Sequence, residues 1–188
     1  MKKISVLFLF FILLIPAVCS AGTFQVDLEY SKVRFRIQYI LGYVLGAFPQ
    51  FDGTIVLNDD NTALVSVSGT VDVAKLDTRL PERDEDLRSE KFFDAAKFPE
   101  AKFTTTKISK GKLTADLTLK GITKSVPFDY EFLGTAKDPS GNTWAALTLK
   151  GKINRKDFGM DRNMKTDEGK MLLGDEVEFR IELHGIQK

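Results

Sequence analysis

The chain has 188 residues, with 27 Lys and Arg set against 26 Asp and Glu, for a formal net charge of +1. Both signs are interspersed throughout, so the sequence builds no basic face of the kind nucleic acid requires. One cysteine and one histidine exclude a disulfide framework and a zinc site, which needs several nitrogen or sulfur ligands.

In chain order, Lys2 and Lys3 open a short basic start. The apolar run Ile4 to Ile15 follows, and then the small residues around Ala17, Ser20 and Ala21. This is the pattern of a secretory signal peptide over 1–21, cut after Ala21 or Ser20. The apolar run is too short to span a bilayer comfortably. Pro16-Ala17-Val18 before Cys19 is a poor match to a lipoprotein signal. Cleavage leaves residues 22–188, one domain with enough chain for a core, without Cys19. Without Lys2 and Lys3 it carries 25 basic and 26 acidic residues. An exported chain without a disulfide holds together by packing alone.

Period-two alternation then dominates. Phe24, Val26 and Leu28 share one face, as do Val33, Phe35, Ile37 and Tyr39. Ile40 to Phe48 is apolar but broken by glycines, and reads as a mobile wall or a mouth. Phe51, Gly53, Ile55 and Leu57 end in the turn Asn58 to Asn61. Ala63, Val65, Val67, Gly69, Val71 and Val73 read as one face of a long strand.

Arg83 to Asp94 interrupts the alternation. Pro81 suits a first helical position, and Glu82, Asp84 and Glu85 suit a first turn. One or two short helices are expected, with Leu87, Phe92 and Phe93 inward and the charges outward. Phe98-Pro99 forces the chain to extend again.

Phe103 to Ile108 reads as a strand. It is followed by strands with apolar faces at Leu113 to Leu119, Val126 to Phe132, Ala145 to Ile153 and Val177 to Leu183. About eight or nine strands, each with one apolar face, make an antiparallel all-β fold, either a closed barrel or a two-sheet sandwich. Several strands are long, which favours a barrel.

No catalytic set emerges. His184 lies on a polar strand face with no partner histidine or cysteine. The carboxylates Asp84, Glu85 and Asp86 read as a solvated helix face. Asn58 to Asn61 reads as a turn, because it lacks the length and closing glutamate of a calcium loop. Twelve of the fifteen phenylalanines lie beyond the signal segment. The small residues Gly53, Ala63, Gly69, Ala115, Ala145 and Gly151 fall on inward faces. The residues leave two readings open: a barrel that holds a ligand, or a module with a solid core that acts through its surface.

Several segments, in order and spacing, resemble the YceI-like, polyisoprenoid-binding family of exported bacterial proteins. They are Val26-Asp27 with Ser31, Gly46-Ala-Phe48 with Phe51-Asp-Gly53, Leu87-Arg-Ser89, Phe92-Phe-Asp94, Phe98 to Phe103, Leu113 to Gly121 with Thr123-Lys124, and Ile153 to Met160. The likeness runs from Phe24 to about Leu183. It implies an extended, lipocalin-like, eight-stranded antiparallel barrel with one short helical insertion. It also implies a long apolar tunnel for isoprenoid quinones, prenyl chains or related amphiphiles, with no catalytic activity and no required cofactor. Where family members often carry histidines, this chain has Tyr30, Tyr39 and Asp86.

The resemblance and the strand faces together give the expected site. Phe35, Ile37, Tyr39, Phe51, Ile55, Leu117, Leu119, Phe128, Phe179 and Ile181 would line the tunnel. Leu87, Phe92 and Phe93 would form a lid or mouth. Arg83, Arg88 or Arg155 would meet a polar head group, with a surface salt bridge as the alternative for each. The expected partner is a lipid in the periplasm or outside the cell. Transient membrane contact and a homodimer stay open.

Overall fold

The computed structural model describes residues 22–188. The signal peptide expected over 1–21 lies outside the described residues. Ten strands follow in chain order: β1 (Gly22–Val26), β2 (Lys32–Tyr39), β3 (Gly42–Phe48), β4 (Phe51–Leu57), β5 (Leu64–Asp72), β6 (Glu100–Ser109), β7 (Lys112–Leu119), β8 (Ile122–Lys137), β9 (Thr143–Asn154) and β10 (Leu173–Gln187). One α-helix, α1 (Pro81–Arg88), lies between β5 and β6.

All neighbours pair antiparallel, and the pairing of β1 with β10 closes the sheet. Ten strands make an eight-membered ring because two of its members are bent. β1 and β2 both run along one edge of β10, interrupted at 27–31. β3 and β4 form the matching bent partner, interrupted at Pro49 and Gln50. Polar side chains repair the first break. Ser31 is buried, accepts from His184 N and donates to His184 O. Asp27 accepts from the backbone of Glu29 and Tyr30, which holds the bend. Closure leaves few open edges, the usual hazard of a sheet.

The two ends of the barrel differ. At one end are the turns 58–63, 110–111 and 138–142, and the core there is solid. Phe24, Ile55, Leu57, Leu113, Ala115, Ala145 and Leu147 are at most 2 % exposed. At the other end are the β2–β3 hairpin tip, the β5–β6 insertion, the β7–β8 turn and the 155–172 connection. β5 ends there at Asp72, so the far edge of β3 has no strand beside it. The insertion takes that place: Ala47 and Asp77 exchange both backbone hydrogen bonds, at 2.8 and 2.9 Å. Phe93 meets Phe48 edge-on at 5.9 Å.

One expectation needs correction, the phase of β5, and two are made definite. Ile40 to Phe48, expected as a mobile wall or a mouth, is the hairpin tip plus β3, paired to β2 from Val33↔Phe48 to Tyr39↔Gly42, and it brings Val44 to the mouth cavity. Gly46 is needed in β3 because the Phe35 ring lies where a β-carbon would sit. In β5, Val65 is an extra residue between the register pairs Leu57↔Leu64 and Val56↔Ser66. A bulge shifts the side-chain phase, so Leu64 and Val67 are buried while Ala63 and Val65 are exposed. The insertion holds one helix, and after Ser89 the chain runs in turns through Asp94, whose φ is +52°.

Candidate ligand-binding site

The barrel holds two neighbouring cavities separated by Leu119 and Phe179, which line both. The inner one, about 90 Å³, is lined by Phe51, Phe103, Leu117, Phe128 and Ile181 among others. Gly53 and Gly69, which pair with each other across β4 and β5, also line it. The mouth cavity, about 380 Å³, is walled by Phe35, Ile37, Tyr39, Val44, Ile153, Leu173 and Val177, with Leu80, Leu87, Phe92 and Phe93 from the insertion. Its volume falls in the ordinary range for small-molecule sites, roughly 300–1,000 Å³.

Of the expected tunnel residues, Phe35, Ile37 and Tyr39 lie at the mouth, and Phe51, Leu117, Phe128 and Ile181 lie in the inner cavity. Leu119 and Phe179 touch both. Ile55 lines neither: it is fully buried in the solid end, against Phe24 and Gly185. Ala115 and Ala145 are packed in the same end. Gly151 leaves no room either, because its register partner Phe128 lays its ring over it.

Leu87, Phe92 and Phe93 all face the mouth cavity. The charges beside them are not all outward, however. Asp84 is buried and accepts from Thr78 N at 2.9 Å and Thr78 Oγ1 at 2.5 Å. Arg83 lines the mouth and donates from Nε to Thr78 Oγ1 and from Nη2 to Thr78 O, each at 2.7 Å. Together they fix the turn that launches α1. Arg88 lines neither cavity.

Arg155 is neither a surface salt bridge nor a free head-group donor. It is 2 % exposed and lines the mouth. Its Nε donates to Gly174 O at 2.9 Å, Nη1 to Arg162 O at 2.9 Å and to Met160 O, and Nη2 to Asp175 Oδ1 at 3.1 Å. It clamps the strap 159–172 that forms one rim. Asn163 supports the same strap, donating to Leu173 O and accepting from the N–H groups of Met164 and Leu173. The hairpin tip joins it through Ile40 N and Leu172 O at 2.7 Å.

The polar atoms left at the mouth are few. The Tyr39 hydroxyl and the side chains of Glu82, Asp86 and Arg162 line the cavity and make no hydrogen bond or ion pair within the described residues. Tyr39 and Asp86 are therefore brought to one cavity. Tyr30 is not; it packs edge-on against Trp144 at 5.3 Å. Among the described residues, no group of three or more His, Cys, Asp or Glu side chains is placed to hold a metal. A larger hollow, about 750 Å³, lies on the outer face over β8, β9, β10 and β2. Several of its cations are paired across strands, Arg34 with Glu182 at 2.8 Å, Arg36 with Glu178 at 2.7 Å and Lys152 with Glu176 at 2.8 Å. Salt-screened exposed pairs of this kind hold register weakly and form no apolar site.

Some lining residues were legible and others were not. Phe103, Ile153 and Val177 sit on strand faces whose alternation was visible. Met160, Arg162, Asn163 and Met164 lie in a connection with no period, and the bonds of Arg155 and Asn163 bring them to the rim.

The turn at the solid end contains the lone tryptophan and a sensitive carboxylate. Trp144 Nε1 and Asn142 Nδ2 both donate to Asp138 Oδ2 at 2.9 Å. These bonds, that of Trp144 foremost, hold the Asp138 carboxyl down at about 2. A depressed carboxylate stabilises the fold above its unfolded value and loses that contribution as pH falls through its folded value. Trp144 fluorescence is therefore expected to show a step near pH 2, absent in D138N. A step near the ordinary carboxylate value of about 4 would contradict the bond.

The profile of the YceI-like domain family matches residues 24–185. The protein YceI of Escherichia coli O17:K52:H18 is 39% identical over 176 residues, covering 89% of this chain and 88% of that protein. Among solved structures, the YceI protein of Campylobacter jejuni superposes with a TM-score of 0.67 at 29% identity, covering 77% of this chain and 85% of the other. A polyisoprenoid binding domain from Saccharophagus degradans, implicated in plant cell wall breakdown, gives a TM-score of 0.61 at 12% identity, covering 90% and 100%. That last likeness carries the fold alone.

Proposed function

The chain belongs to the YceI-like domain family, and from that premise we propose that it binds a long-chain isoprenoid lipid, a prenyl chain or a quinone, and sequesters or carries it without chemical change. The observation that carries this reading is the interior: a mouth cavity walled by aromatic and aliphatic side chains, and a second apolar cavity that shares Leu119 and Phe179 with it. A solid-core interaction module has no use for that space. The N-terminal segment supports an exported, periplasmic carrier.

Burial contributes about 0.8 kcal/mol per CH₂-sized group, so one five-carbon isoprene unit contributes roughly 3–4 kcal/mol gross. A few units therefore reach micromolar affinity after association and ordering costs. The apolar chain enters through the mouth, and the polar end stays near Tyr39, Arg83 and Arg162, where donors remain. The test is extraction and mass spectrometry of protein purified from its own cell envelope. A co-purifying prenyl lipid or quinone is expected. Absence of any such lipid, together with no uptake of a fluorescent prenyl probe, would overturn the proposal.

A further inference from the structure

The chain has four methionines, Met1 among them. The other three, Met160, Met164 and Met171, all fall on the strap that rims the mouth cavity. Their surroundings differ. Met160 is 5% exposed and packed beneath the strap, while Met164 and Met171 are 47% and 57% exposed. Met160 and Met164 line the cavity, and Met171 does not. Met164 is held at the rim from both sides: its N–H donates to Asn163 Oδ1 at 2.8 Å, and its carbonyl accepts from Leu172 N at 2.9 Å. It therefore combines an exposed thioether with a fixed position on an apolar passage.

We propose that Met164 is an oxidation site that lowers lipid affinity, so that the loaded barrel releases its ligand under peroxide stress. This rests on the lipid-binding reading above. A hydroperoxide transfers one oxygen atom to the thioether sulfur: the O–O bond breaks, an S=O bond forms, sulfur loses two electrons, and the peroxide is reduced to water or an alcohol. The product is a polar sulfoxide where the apolar chain must pass, and a reductase can restore the thioether. Methionine suits the rim in its reduced state because its flexible, polarisable side chain conforms to an irregular apolar ligand. As a sulfoxide it presents an acceptor that hydrocarbon cannot satisfy. The cost of an incompletely paired polar group corresponds to about a tenfold loss of affinity.

The test uses the mature protein, a fluorescent prenyl alcohol probe and hydrogen peroxide, with sulfoxide mapped by mass spectrometry and folding followed by circular dichroism. Wild type is expected to gain oxygen at Met164 and Met171 before Met160, and to lose about tenfold in probe affinity. M164L is expected to keep after peroxide whatever affinity it shows before it. M164Q, polar without oxidant, is expected to show the loss from the start. If oxidised M164L loses as much affinity as oxidised wild type, or if oxidised wild type binds unchanged, the proposal fails. Absence of probe binding before any oxidation overturns the lipid-binding reading instead, so the two failures are distinguishable.

Discussion

Replacing Arg155 with methionine is expected to lower the unfolding free energy by about 3 kcal/mol, because a hydrogen bond from a charged donor contributes roughly 1.5–3 kcal/mol and three to carbonyls are lost, one buried and two partly buried. Three carbonyls lose their donor: Met160 O, Arg162 O and Gly174 O. Methionine keeps most of the side-chain volume, so the loss reports bonding more than packing. For a chain of this size the change corresponds to a melting temperature lower by about 6–12 °C. The ion pair with Asp175 is the minor part. Asp175 is 41% exposed and also bonds Lys156 at 2.7 Å. D175N should therefore cost less than about 1 kcal/mol, as exposed pairs do. Hydrogen exchange should show the strap amides of R155M losing protection while β7 to β9 stay protected. Equal destabilisation by D175N and R155M would mean that the carbonyl clamp is not what matters.

The second large effect is on binding. Leu119 is buried where the two cavities meet. In L119W an indole spans that junction and shuts the inner cavity off from the mouth. Excluding about one isoprene unit removes roughly 3–4 kcal/mol of gross burial, and prenyl affinity should fall on the order of 100-fold. The larger side chain also costs about 1–3 kcal/mol in stability, so circular dichroism must first show a folded barrel. L119A widens the junction and should still bind. A folded L119W with unchanged affinity would place the ligand elsewhere.

Both effects centre on residues whose importance was only partly visible in the sequence. Leu119 was legible: it falls on the apolar face of an alternating strand, and such a face points inward once a sheet closes. Arg155 was legible as a candidate but not in its role. Nothing in Asn154-Arg155-Lys156 says that the side chain is buried under a strap and bonded to residues up to twenty positions later. The β5 phase was misread for a similar reason. Val65 looks like any other member of an apolar series, and only pairing with β4 shows it to be a bulge that turns Ala63 out. The insertion was recognised by its break in periodicity. That it fills the wall beside β3, through Asp77 and Phe93, follows from where β5 ends.

The sequence by itself determined the all-β class, the apolar faces, the turns at Asn58 and Asp138, the position of the helical insertion and the family. These depend on residues near one another in the chain, which local period and turn chemistry report. Only the tertiary structure decided where the interior is empty. Small residues were visible at Gly53, Gly69, Ala115, Ala145 and Gly151, and local pattern treats them alike. Gly53 and Gly69 pair with each other and line the inner cavity. Gly151 faces Phe128 and is covered, while Ala115 and Ala145 lie in the solid end. Whether a missing side chain becomes lumen or is filled depends on what the opposite strands bring across it, and that is set by register and closure.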